Sequence, residues 1–264
     1  MGKIIAISGR SGGKTTTAIN LSASLAMLGH KILIIDVDPQ ASLTSAFGIE
    51  PREVSKSIYE SMLGRVFVND TIIQTEIQDL DVIPANIDIL SAELEMIDLE
   101  NRELLMKKAI EPVQNKYEFI IIDCAPSLGL ITVNALAAAD TVLIPVQCEY
   151  YALEGLGKIF NTIKIVQKHL NFKLSIEGIL LTMYDSSLSV SREILKDAPE
   201  QYKKLVFNTI IHRDIHISKE PTFRKSTMLP VATSQLATDY MNLAKEILGE
   251  TTSPTLSKTE EEHG

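Results

Sequence analysis

The 264-residue chain predicts an α/β fold with a mostly parallel, twisted sheet and helices on both faces. Three observations predict it. Short runs rich in Ile and Val recur along the chain. Helical patterns separate them. Several runs end in an acidic or glycine-rich turn. A run that is apolar at every position suits a strand buried on both faces, as strands of parallel sheets are.

The elements follow in order. Ile4–Ile7 is a strand, and Thr15 to Leu28 a helix with Ala18, Leu21, Leu25 and Leu28 on one face and Gly29 as its stop. Ile32–Ile35 is a second strand ending at Asp36, and Val82–Pro84 a short third. Arg102–Asn115 reads as a helix, and Phe119–Ile122 as a strand ending at Asp123. Leu128–Ala138 is helical, Val142–Val146 a strand, Ala152–Leu170 a long helix and Ile176–Thr182 a strand. Val206–Ile211 is a late strand, and Gln235–Leu248 an amphipathic helix. Residues 1–249 are expected to form a single domain, and residues 250–264 a disordered acidic tail without periodicity.

Composition narrows the class. Hydrophobic content of 45% and charged content of 22% suit a soluble globular protein. Two cysteines and no secretory signal point to a reducing cytoplasm. The apolar runs are far shorter than a bilayer span, so no membrane helix is expected. A net charge of −9 argues against nucleic-acid binding by the whole surface.

The chemistry centres on Ser8-Gly9-Arg10-Ser11-Gly12-Gly13-Lys14-Thr15-Thr16-Thr17. A glycine-rich turn between strand and helix, ending in Gly-Lys-Thr, presents backbone N–H groups and a helix N-terminus to phosphate. Lys14 would reach the β- and γ-phosphates and the Thr15 hydroxyl would ligate Mg²⁺. The usual spacing, Gly, four residues, Gly-Lys-Thr, would put its first glycine at Ser8. Asp123 closes a buried strand, where a carboxylate can hold the Mg²⁺ shell beside such a loop. Asp36 and Asp38 fall on one side of their strand by alternation. One would contact the metal shell and the other orient the attacking water. All these residues sit at strand carboxyl ends, where α/β sheets bind ligands.

Four blocks carry a resemblance: Gly13 to Leu21, Ile32 to Ala41, Ile120 to Gly129, and Ile144 to Leu156. In this order they look like the ParA/Soj family of chromosome- and plasmid-partitioning ATPases, of the deviant Walker A (SIMIBI) type. The block Gln147 to Leu156 resembles the chromosomal Soj branch in particular. The resemblance runs to about residue 249. It implies an ATP- and Mg²⁺-dependent homodimer that binds double-stranded DNA without sequence preference. A ParB-type partner would stimulate its hydrolysis, and it would be cytoplasmic and nucleoid-associated. Lys14 and Thr15, with Gly9, Ser11, Gly12, Gly13 and Thr16, would hold phosphate and metal. Asp38 would position the hydrolytic water, Asp123 would support the metal, and Pro221 would lie near adenine.

The loop departs from the family's Lys-Gly-Gly-x-Gly-Lys-Thr. Gly9 stands where the family's first lysine reaches across the dimer, and the loop is about two residues shorter than that pattern. Arg10 is the nearest cation. Two readings stand. Either Arg10 substitutes, although Arg and Lys exchange poorly at demanding sites, or hydrolysis is impaired and the protein is a switch or binding module held in one state.

Residues 192–225 carry eight Lys/Arg against five acids, an excess of three positive charges that suits backbone-only DNA binding. An ordinary solvated face has the same composition. The resemblance selects Arg192, Lys196, Arg213, His216, Lys219, Arg224 and Lys225. His216 and Ser187 stand where the family commonly has Arg. Other classes fit less well. A MinD-like membrane-cycling ATPase needs a basic amphipathic C-terminal helix, but this tail reads Glu-Glu-Glu-His-Gly. Cys124 and Cys148 have neither zinc nor cluster spacing and read as small buried residues.

Overall fold

The computed structural model describes residues 1–10, 13–86, 89–148, 152–184, 203–213 and 234–250. The expected tail, Ser187 and most of the basic stretch lie outside them. The strands are β1 (Lys3–Ile7), β2 (Ile32–Asp36), β3 (Ile73–Gln74), β4 (Leu80–Ile83), β5 (Phe119–Asp123), β6 (Thr141–Gln147), β7 (Ser175–Tyr184) and β8 (Val206–His212). The helices are α1 (Lys14–Met27), α2 (Ser42–Ala46), α3 (Ile58–Met62), α4 (Ile89–Met96), α5 (Leu105–Ile110), α6 (Leu130–Ala138), α7 (Ala152–His169) and α8 (Gln235–Ile247).

The strands form one sheet in the order β3-β4-β2-β5-β1-β6-β7-β8. All neighbours are parallel except β3 against β4. The apolar runs divide between two cores by the two-residue period of a strand. Ile4, Ala6, Leu33, Ile35, Ile120 and Ile122 face one core, which also takes in Ile131, Leu136, Ile159 and Ile163 from α6 and α7. Ile5, Ile7, Ile32, Ile34 and Ile121 face the other, with Leu21 and Leu25 of α1 and Tyr240 and Leu243 of α8. The runs lack polar alternation because both faces are covered.

Two expected elements differ. The Arg102–Asn115 helix is broken into a 3₁₀ turn (Arg102–Leu104), α5, and a second 3₁₀ turn (Gln114–Lys116). The first break falls at Leu104, whose φ of −115° and ψ of 6° leave the helical region, and α5 stops just before Pro112, which has no N–H to continue the bonding. The strand expected at Val82–Pro84 begins at Leu80 and stops at Ile83, one residue before a proline that cannot donate to the ladder.

Among the described residues, no helix is long and apolar enough to cross a membrane. The apolar side of α8 is already used: Leu236, Tyr240, Leu243 and Ala244 are buried. It therefore does not present the free apolar face that an interfacial anchor needs.

Candidate functional site

β1 lies at the centre of the sheet, between β5 and β6. Its carboxyl end aligns with those of its neighbours: Ile7 pairs with Asp123, and Asp123 pairs with Asp36. Three chain turns therefore leave the sheet side by side at one level. Backbone bonds tie them together: the Cys124 N–H donates to the Ile7 carbonyl, and the Val37 N–H to the Asp123 carbonyl, each at 3.1 Å.

The loop after β1 is seated low. The Ser8 N–H donates to the Leu143 carbonyl at 3.1 Å. A side chain at Gly9 would put its Cβ 3.2 Å from the Pro145 carbonyl oxygen. Gly13 has φ of +97°, a left-handed conformation that favours glycine, and its missing Cβ would meet Thr182 Oγ1 at 3.4 Å. No side chain caps α1, whose first backbone bond runs from the Thr17 N–H to the Gly13 carbonyl. The N–H groups of its first turn point out of the helix end, and the peptide dipoles add positive potential there. Lys14 is the first residue of α1 and only 7% exposed.

Asp123 is completely buried, and among the described residues neither carboxylate oxygen has a hydrogen-bond partner. Burial first, and then the charge of Asp36, hold its carboxyl well above the usual range. The Thr15 hydroxyl, lying short of good hydrogen-bond geometry, and Lys14 act in the opposite direction. Ser8 Oγ and Thr182 Oγ1, which flank the loop, are also buried and have no partner among the described residues. Unmade bonds at buried polar atoms are costly, so their concentration here marks a surface shaped for a polar ligand.

Asp36 differs. One oxygen accepts the Asp38 N–H at 3.0 Å; the other accepts the Thr44 N–H at 2.8 Å and the Thr44 hydroxyl at 2.7 Å. Thr44 Oγ1 in turn accepts the Ala85 N–H at 2.9 Å. Burial still raises the Asp36 carboxyl to about 6, against the pull of these bonds. Asp38 lies just beyond β2. One oxygen accepts the Gln40 N–H at 2.9 Å, and the residue is 8% exposed. Of the two acids left interchangeable by strand alternation, Asp36 is committed to the framework and Asp38 keeps an uncommitted oxygen.

Lys14, Thr15, Asp38 and Asp123 thus share one electrostatic neighbourhood. Arg10 is exposed and lies beside Gly155 of α7, with Lys158 on the rim of the same pocket of about 270 Å³, closed by Ser127 and Leu128. Lys158 was not anticipated; the only sequence signal was its position two turns into a helix beginning near a strand end. Thr16 accepts an N–H from Asn20 through its carbonyl. Ser11, Gly12, Tyr150, Tyr151, Pro221, Arg192, Lys196, His216, Lys219, Arg224 and Lys225 lie outside the described residues. Arg213 is exposed at the carboxyl end of β8, its N–H donating to the Tyr184 carbonyl at 3.0 Å. Lys203 and Lys204 precede β8, at the opposite end of that strand from Arg213. Seven strand residues separate these two lysines from Arg213 by about 20 Å, so the three described basic residues of this stretch do not form one cluster. Cys124 and Cys148 are buried, as expected, and burial pushes the Cys148 thiol up to about 11.

Comparison with known proteins places the chain in a family. A family profile described as an AAA domain matches residues 2–176. The chain is 46% identical to the sporulation initiation inhibitor protein Soj of Bacillus subtilis (strain 168) over 249 residues, covering 94% of this chain and 98% of that protein. It is 44% identical to the chromosome partitioning protein ParA of Myxococcus xanthus (strain DK1622), covering 94% and 88%. Among solved structures, it is similar to a cobyrinic acid a,c-diamide synthase from Mycobacterium smegmatis with bound ATP analogue and magnesium, with a TM-score of 0.83, 33% identity and coverage of 94% and 95%. With relatives of this identity matched over nearly their whole length, the chain belongs to the ParA/Soj family of partitioning ATPases.

Proposed function

We propose that this chain binds ATP with Mg²⁺ at the β1–α1 loop, dimerises in that state, and then binds double-stranded DNA without sequence preference. A ParB-type partner would stimulate hydrolysis, and the cycle would drive chromosome or plasmid segregation. The observation that carries the reading is Asp123: a fully buried carboxylate with both oxygens bare, beside Lys14 and Thr15. An isolated buried anion is strongly unfavourable, and a divalent cation with its water shell would offset it. Among the described residues no three His, Cys, Asp or Glu converge to hold a metal alone. Mg²⁺ needs no such cage, since it takes one or two carboxylates plus phosphate oxygens and waters.

In this reading residues 1–249 act as one domain. Gly9, Ser11, Gly12, Gly13 and Thr16 surround the phosphates with backbone donors, and Lys14 holds the terminal ones. Thr15 contributes its hydroxyl to the metal and Asp123 fixes the metal's water. The bound Mg²⁺ supplies charge neutralisation on the phosphates. Asp38 orients the attacking water through its uncommitted oxygen. Arg10, with Lys158 across the same pocket, supplies the cation that the shortened loop lacks. Pro221 packs on the base. Arg213, with Arg192, Lys196, His216, Lys219, Arg224 and Lys225, forms the DNA-contacting set.

A second reading rests on the low seat of Gly9 against Pro145: a loop this short binds nucleotide but turns it over poorly. Calorimetry of ATP and ADP with Mg²⁺, alongside steady-state hydrolysis with DNA present, separates the two. Binding with turnover supports the full cycle, and binding without turnover supports the impaired switch. Retained ATP binding by Lys14→Ala would sink both.

A further inference from the structure

The phosphate helix is held from the far end of the chain. Tyr240, on α8, is buried, and its hydroxyl lies 3.2 Å from Thr17 Oγ1. Thr17 is also buried, one turn beyond Lys14 in α1. Burial pushes the Tyr240 phenol up, so the hydroxyl stays protonated and the contact is a neutral hydrogen bond. Helices move as rigid units over a turn, so the seating of Thr17 is also the seating of Lys14.

The adjacent residue on α8 serves another segment. Asp239 is fully buried, and one of its oxygens accepts both the His212 N–H and the His212 ring Nδ1–H, each at 2.9 Å. Its other oxygen accepts the Gln235 amide at 2.8 Å. His212 is the last residue of β8, directly before Arg213. The helix itself starts at Ser234, whose hydroxyl accepts the Ala237 N–H at 3.2 Å. His212, and with it Arg213, is therefore tied to α8 close to that helix's start.

We infer that Tyr240 and Asp239 are positioning residues: Tyr240 sets the phosphate helix through Thr17, and Asp239 sets Arg213 through His212. Nucleotide affinity and DNA affinity are then both set from α8. The inference rests on the nucleotide and DNA reading above.

The test uses the full chain and Tyr240→Phe, Thr17→Val, their double variant, and His212→Ala. Titration calorimetry gives ATP·Mg²⁺ affinity, anisotropy gives affinity for a short random-sequence duplex with ATP, and thermal melting gives stability without nucleotide. Tyr240→Phe and Thr17→Val should each weaken ATP binding about twofold to tenfold, the scale of one buried hydrogen bond. The double variant should lose no more than either single change. His212→Ala should weaken DNA binding by a similar factor and leave ATP affinity unchanged. Lower melting temperatures with unchanged ATP and DNA affinities would reduce both residues to ordinary packing and overturn the inference alone. No nucleotide binding by the unaltered chain would overturn the reading and the inference together.

Discussion

The turn after β2 and the turn after β5 each begin with a fully buried aspartate, and the two residues pair in register across the sheet. Asp36 accepts three hydrogen bonds from Asp38 and Thr44, whereas Asp123 accepts none among the described residues. The first is the pattern of a framework residue, whose charge is repaid within the fold. The second is the pattern of a group that stabilises nothing until a ligand arrives. Burial and position in a motif are the same for both, so the hydrogen-bond inventory is what separates architecture from chemistry here.

Four experiments break or sharpen that contrast. Asp36→Ala should have the largest effect on the fold. It strands the Thr44 and Asp38 donors, and a loss of about 3–5 kcal/mol in denaturant unfolding is expected. Unchanged stability would remove Asp36 from the framework. Asp38→Ala should leave stability within about 0.5 kcal/mol while lowering turnover about a hundredfold and retaining ATP binding. Turnover at the original rate would refute its role on the water. Asp123→Asn should move stability and function in opposite directions. The nucleotide-free protein gains about 1–2 kcal/mol at neutral pH because the cost of burying an unpartnered carboxyl is gone, and Mg²⁺-dependent ATP affinity falls at least about tenfold. A destabilised Asp123→Asn protein would mean that the native carboxylate has partners after all.

The smallest effect is in pH. Asp36 titrates near 6 in the folded chain against 3.8 for the free side chain, and Asp123 is raised further. For a raised carboxyl the folded state holds more protons than the unfolded one between those values, so stability falls as pH rises through that window. The nucleotide-free protein should therefore melt higher at pH 5.5 than at pH 7, by the equivalent of about 1–2 kcal/mol, and Asp123→Asn should narrow the gap. A melting temperature that climbs from pH 5.5 to 7 would contradict the assignment of both groups.

Much of this was legible in the sequence. Runs such as Phe119–Asp123 declare buried parallel strands because no polar residue interrupts them, and their acidic ends already pointed to the site edge. What was not legible came from partners distant in the chain. The division of labour between Asp36 and Asp38 is imposed by Thr44 and Ala85, which no spacing rule connects to β2. The short helix α3 was missed although its capping box, Ser57 with Glu60, is written in the sequence. β3 was missed because two exposed residues carry no periodicity. The single helix expected over Arg102–Asn115 is interrupted at Leu104, where no residue type signals a break, and ends before Pro112. Of the eight basic residues, Lys203 and Lys204 precede β8 and Arg213 follows it, a separation that charge counting along the sequence does not reveal.

The Thr17–Tyr240 contact joins residues 223 apart, which sets a clock on biosynthesis. A ribosome adds about 5–20 residues per second, so α1 emerges on the order of 10–45 seconds before the helix that covers it. Through that interval Leu21 and Leu25, which end in a core shared with Leu243, have no lid of their own. The nascent chain is thus most open to holdase chaperones at the segment that will later grip phosphate, and a message truncated before codon 240 would yield a chain whose phosphate helix is never closed.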